Sequence, residues 1–217
     1  MLLHSEQVIK LIIKSRFIAA LFVSLCIVGC NRSTHVIVEY ESSEWREGDL
    51  VFRCGYGMES RAVVSGGQST YSHVGLLHFD STHSCWQVVH AVPAEDEPEY
   101  LKAEDISLFF SPERACMGAW ARVNCSDQVA KEAVQYALRK VEQCCLFDND
   151  YKLSDSTKIY CTELVWRAFG AQGIDVSGAQ RQAVPTIFSR DGECIFPIHI
   201  EQSETTLFVK PFKTKVL

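Results

Sequence analysis

Two runs rich in β-branched and aromatic residues, TYSHVGLLHF (70–79) and CWQVVHAV (85–92), are separated only by the polar stretch DSTHS. A connection that short joins neighbouring strands antiparallel, because a parallel pair needs a crossover of a dozen or more residues. The chain therefore holds at least one hairpin of an antiparallel sheet. EGDLVF, MGAWARVN (Met117–Asn124) and TLFVKPF (Thr206–Phe212) are further strand candidates. Ser126 is an N-cap candidate before a stretch in which Ala130, Ala133, Val134, Ala137, Leu138 and Val141 recur at helical spacing. Mixed elements with an antiparallel sheet read as the α+β class. With 217 residues, 47% of them hydrophobic, there is material for a single well-buried core, placed at 46–217. The formal charge of −6, with no cluster of Lys and Arg after residue 35, argues against a nucleic-acid partner.

The first thirty residues differ in kind. Lys10, Lys14 and Arg16 precede the uncharged run FIAALFVSLCIVGC (Phe17–Cys30), too short for a comfortable membrane span. This pattern is expected to be a bacterial signal peptide over 1–29. IVGC resembles a lipobox, which implies cleavage before Cys30 and lipid on its thiol; an uncleaved anchor helix is the alternative. Residues 30–45 are polar enough for a tether, so the body is expected outside the cytoplasm, held at the cell envelope through Cys30. Asn31, where some bacteria use aspartate for inner-membrane retention, points to the periplasmic side of the outer membrane if there is one. Disulfides are permitted there. Eight cysteines remain beyond Cys30, without a CxxC pair, and neither a bridge nor a structural zinc site can be assigned from their spacing.

One cysteine stands apart. In KIYCTELVWRAF (158–169), Cys161, Leu164, Val165, Ala168 and Phe169 share the apolar stripe of a short helix, with Cys161 in its first turn. A stripe cysteine is ordinarily a packing residue. At a helix start, however, unpaired amides and the helix dipole lower a thiol pKa, so Cys161 is expected to tend toward the thiolate. Strand alternation puts His73 and His90 on one face of the hairpin, and a two-residue turn at Ser81–Thr82 would set them directly opposite each other. His78 points to the other face, as a surface residue. Cys161, His73 and His90 supply a nucleophile, a general base and an orienter for that base. The same three side chains are also a possible Cys-His-His zinc set, and each histidine alone a hydrogen-bonded core residue.

GDLVFR, YSHVGLL, VVHA and FDNDYKLSDSTKIYCTELVW together resemble the YiiX/YebB-like cysteine hydrolases, a circularly permuted branch of the NlpC-type papain-fold peptidases, over about residues 47–170. The resemblance implies a permuted papain-like α+β domain, with an antiparallel sheet packed on a nucleophile-bearing helix. It assigns the nucleophile to Cys161, the general base to His73 and the third polar residue to His90; to these we add the backbone amide of Cys161 as an oxyanion donor, with Tyr160 or Tyr151 as helpers near the site. It implies no cofactor. The implied activity is that of a cysteine peptidase or amidase on a peptide or acyl-amide substrate, with cell-wall peptides foremost. Acyl lipids or N-acyl amides are the alternative substrates, and a non-catalytic ligand-binding lipoprotein is the rival reading. The segment after Phe188 carries no motif of the family.

Overall fold

A computed structural model describes residues 35–93, 100–154, 157–184, 186 and 192–217. The expected signal peptide and Cys30 lie outside the described residues. In chain order the elements are β1 (Val36–Glu39), β2 (Leu50–Cys54), α1 (Met58–Gly67), β3 (His73–Asp80), β4 (Cys85–His90), β5 (Lys102–Asp105), α2 (Ile106–Phe109), β6 (Met117–Val123), α3 (Asp127–Glu142), β7 (Leu146–Phe147), β8 (Lys158–Ile159), α4 (Cys161–Gly170), β9 (Gln182–Ala183), β10 (Glu193–Cys194), α5 (Pro197–Glu201), β11 (Thr206–Pro211) and β12 (Lys213–Val216). The expected hairpin and the two helices at 126–141 and 161–169 are all present.

Six strands form one antiparallel sheet in the order β11-β6-β2-β3-β4-β5. Its central strands read as nearly continuous apolar runs because both faces are covered. Leu50, Phe52, Val74, Leu76, Val89, Ala119 and Ala121 point to one face, where they pack with Ala133, Val134 and Ala137 of α3 and Leu164, Val165, Ala168 and Phe169 of α4. The alternate residues Val51, Leu77, Val88 and Trp120 face an aromatic layer containing Trp45, Phe109 and Phe110. The sheet is thus the middle of three layers, one helical and one aromatic. Ser126 caps α3 as expected, its Oγ accepting from the Val129 N–H at 3.3 Å.

The aromatic layer corrects one boundary. Residues 30–45 were expected to be a free tether, yet β1 pairs with β12 and Trp45 is buried in the aromatic layer. From His35 onward this segment belongs to the fold, because its apolar positions Val38 and Trp45 cover a sheet face that would otherwise meet water.

Candidate active site

The start of α4 is built by its own sequence. The Tyr160 N–H donates to Glu163 Oε2 at 3.3 Å, and Glu163 Oε1 accepts from Arg167 Nε at 2.7 Å, so YCTEL closes its first turn internally. This places Cys161 at the first helical position, where the N–H groups of Val74, Thr162 and Cys161 itself act on the sulfur. The thiol is nevertheless pushed up to about 11, because burial outweighs those amides and the nearby Arg53 charge. The expectation of a lowered thiol pKa is therefore corrected: burial keeps the proton on the sulfur.

The histidines form a line of buried groups. His73 Nε2 lies 2.8 Å from His90 Nδ1, and His90 Nε2 lies 3.1 Å from Glu104 Oε1. That second contact is off the ideal hydrogen-bond angle, but among the described residues neither atom has another hydrogen-bonding partner. Glu104 Oε2 meets Lys102 Nζ and Arg114 Nη1, each at 3.0 Å. Burial raises the Glu104 pKa, but its bonds to His90 and Lys102 prevail and hold the carboxyl far below the usual range, so it is ionised and only accepts. The proton assignment follows from the partners. His90 carries its proton on Nε2, its Nδ1 accepts from the His73 Nε2–H, and His73 is left with Nδ1 as its basic nitrogen. Burial lowers both imidazoles, His90 to about 4, so both are neutral at pH 7.

The hairpin register differs from the expected one. Asp80 lies opposite Cys85 and Leu76 opposite Val89, so the turn has four residues, Ser81–Ser84, and the pairing slips by two. Side chains alternate with period two, so this slip keeps His73 and His90 on one face and sets them diagonally instead of opposite. Continuing that register puts His90 across from Gly75. A Cβ there would lie 2.4 Å from Val88 Cγ1 and 3.0 Å from His90 Cβ, so glycine gives the His90 ring room to reach His73. His78, expected at the surface, is half-buried against Glu47 at 2.7 Å.

A second correction concerns the layers. The histidine face was expected to meet the cysteine-bearing helix directly. Instead His73, His90 and Glu104 belong to the aromatic face, with Phe109 against both imidazoles at ring distances of 5.7 and 5.2 Å, while α4 packs on the opposite face. The two sets meet beyond the start of β3, where Cys161 and His73 line one cavity of about 110 Å³. No hydrogen bond joins the sulfur to His73 among the described contacts. His90 is fully buried behind His73 and does not line the cavity.

Tyr151 and Tyr160 both line it, with ring centroids 5.2 Å apart. The Tyr160 hydroxyl accepts from the Ile195 N–H at 2.9 Å, and Thr162 Oγ1 donates to the Ile195 carbonyl at 2.6 Å. Tyr160 thereby ties α4 to the opposite wall, formed by Cys194–Pro197, a stretch in which the sequence offered no signal. Two further functional candidates were missed. Glu104 sits in the unremarkable run KAED and gains meaning only when β5 pairs with β4. Arg53 closes the quoted motif GDLVFR, but nothing in that motif says that it lines the cavity. No disulfide joins the eight described cysteines.

Chemically, this is a protonated thiol under three backbone amides, sharing a cavity with a neutral imidazole whose tautomer is fixed from behind. The set does not suit a metal: the two imidazoles spend facing nitrogens on each other, and no group of three His, Cys, Asp or Glu among the described residues could hold an ion.

Comparison with known proteins agrees with the fold. No curated protein matched the chain. Among solved structures, the chain is similar to one titled "Crystal structure of metalloprotein yiiX from Escherichia coli O157:H7, DUF1105", at a TM-score of 0.60 and 16% identity, covering 79% of this chain and 98% of that one. At that identity the likeness speaks for the fold alone. The sequence profile described as "Permuted papain-like amidase enzyme, YaeF/YiiX, C92 family" matches residues 44–208, about three quarters of the chain. This chain accordingly belongs to the permuted papain-like amidases of the YaeF/YiiX type, a family of cysteine peptidases and amidases.

Proposed function

We propose that the chain hydrolyses amide bonds with Cys161 as nucleophile, His73 as general base and His90 as the residue that fixes the His73 tautomer, extended by Glu104. The observation that carries this reading is the line Glu104–His90–His73, which leaves one basic nitrogen on a residue that shares the cavity with the sulfur. As Cys161 Sγ attacks the scissile carbonyl, His73 Nδ1 takes its proton. The N–H of Cys161 receives the developing oxyanion, and His73 then passes the proton to the leaving amine. Water repeats the cycle on the thioester and frees the acid. Because the resting thiol is protonated, proton transfer accompanies attack and does not precede it.

Amide bonds of cell-wall peptides are the first substrate class, with the body outside the cytoplasm and tethered through lipid on Cys30, on the periplasmic side of an outer membrane where one exists. The lipobox-like IVGC supports that placement. A second reading, N-acyl amides or acyl lipids at the membrane surface, draws on the apolar wall of Val63, Phe147, Ile195 and Phe196. Tyr151 and Tyr160 position the substrate against that wall. Incubation of wild type and Cys161→Ala with muropeptides and with N-acyl amides, followed by mass spectrometry of products, tests both. Cys161→Ala is expected to lose turnover by a factor of about 10⁴ or more while its Tm stays within a few degrees. Unchanged turnover would remove Cys161 from the mechanism.

A further inference from the structure

Arg53 is a buried cation that the mechanism above does not use. It is 7% exposed, its Nη1 donates to the Phe109 carbonyl at 2.7 Å, and its guanidinium lies 4.5 Å from the Phe109 ring centroid. It forms no direct ion pair among the described residues; the charge of Glu104 acts on it from a distance and is outweighed by burial, which lowers its pKa to about 10. The Nε–Nη2 edge of the fork has no partner among those residues, and the side chain lines the Cys161 cavity.

The surrounding charge has the same sign. Lys102 and Arg114 share the carboxylate of Glu104 behind the cavity, and among the described residues that line it two guanidiniums, Arg53 and Arg114, stand against one carboxylate, Glu59. This positive surplus belongs to a chain whose formal charge is −6.

We propose that the open edge of Arg53 is a carboxylate-binding subsite, so that this amidase selects substrates carrying a carboxylate a few bonds from the scissile carbonyl. The inference rests on the amidase reading and adds the substrate class to it. Two parallel N–H donors on one planar edge match a carboxylate bidentately. A cavity of about 110 Å³ takes a carboxylate-bearing side chain more readily than a phospholipid headgroup. Binding has a second consequence. Arg53 is one of the charges that hold His73 in its neutral form, and an anion seated on Arg53 offsets that charge and makes His73 a better base as substrate arrives.

The test needs no known substrate. Full-length wild type is alkylated at fixed pH with iodoacetate or iodoacetamide, and the rate at Cys161 is read by peptide mass spectrometry. At an ordinary thiolate the anionic reagent is repelled and iodoacetamide is faster. At Cys161 the order is expected to reverse, with iodoacetate faster. Arg53→Gln should lower the iodoacetate-to-iodoacetamide ratio by about tenfold, and Arg53→Lys, which keeps the charge and loses the fork, should fall between. If the variants fail to fold, protection of wild-type Cys161 by glutarate, against uncharged glutaramide and inorganic phosphate, replaces them. Faster reaction with iodoacetamide in wild type, a ratio unmoved in Arg53→Gln, or better protection by phosphate than by glutarate would overturn the carboxylate subsite. None of these results depends on turnover, so they fail separately from the Cys161→Ala assay.

Discussion

The aromatic and helical layers contribute to the same cavity but hold their polar groups in different ways. In the aromatic layer the imidazoles are fixed: His73 leans on His90, His90 on Glu104, and Glu104 on Lys102 and Arg114. In the helical layer the sulfur of Cys161 has backbone amides around it and, among the described residues, no side chain bonded to it. One side therefore presents an imidazole with its orientation and tautomer already set, whereas the other presents a thiol that burial keeps protonated. The sheet between them keeps the two sets apart except past the start of β3.

Breaking the fixed side should do the most damage after loss of the sulfur. His73→Ala is expected to lower kcat about 10²- to 10⁴-fold, and His90→Ala less, because His73 would remain present but lose its enforced tautomer. The reverse order in steady-state kinetics would mean that the roles are exchanged. Glu104→Gln keeps the shape but removes the charge at the end of the line. A drop of about tenfold in kcat with little change in KM is expected. An effect confined to KM would make Glu104 a substrate contact instead.

Acid should distinguish the layers as well. Burial lowers the folded-state pKa of His90 to about 4 and also lowers that of His73. Below pH 6.5 the unfolded chain therefore binds more protons than the folded one, and stability falls as pH drops toward 4, by on the order of 3 kcal/mol for His90 alone. Glu104, whose pKa is lowered, adds stability that is lost as pH falls below its ordinary carboxylate range. Urea midpoints measured from pH 7 to 4 should decline, with a shallower slope in His90→Gln. A slope unchanged in that variant would mean that His90 is not held neutral. The smallest effect is expected from Gly75→Ala, which crowds Val88 and His90: about 1–3 kcal/mol of stability, with kcat reduced more than KM is raised. A variant as stable and active as wild type would show that the histidine line tolerates displacement.

Much of the scaffold was legible because it rests on local periodicity. The alternating runs around His73 and His90, the capped stretch after Ser126 and the stripe starting at Cys161 all fold as their patterns require. Other features depended on partners distant in sequence. The four-residue turn was invisible because Ser81–Ser84 lacks a residue pair that demands one turn type. Glu104 looked like any acid in an exposed strand until β5 was laid beside β4. The thiol's burial followed from its place in the core beside β3, where the Val74 amide reaches the sulfur, which no helix-terminus argument contains.

The sequence by itself determined which residues share a face, because strand and helix periods are properties of the local backbone. It also determined that a cysteine stands in the first turn of a short amphipathic helix. Only the tertiary structure decided that Cys161 and the imidazoles lie on opposite faces of one sheet, that Glu104 stands behind His90, and that Arg53 lines the cavity without a direct ion pair among the described residues. Those outcomes come from long-range strand pairing and from burial, which set distances and protonation states between groups that the chain keeps tens of residues apart.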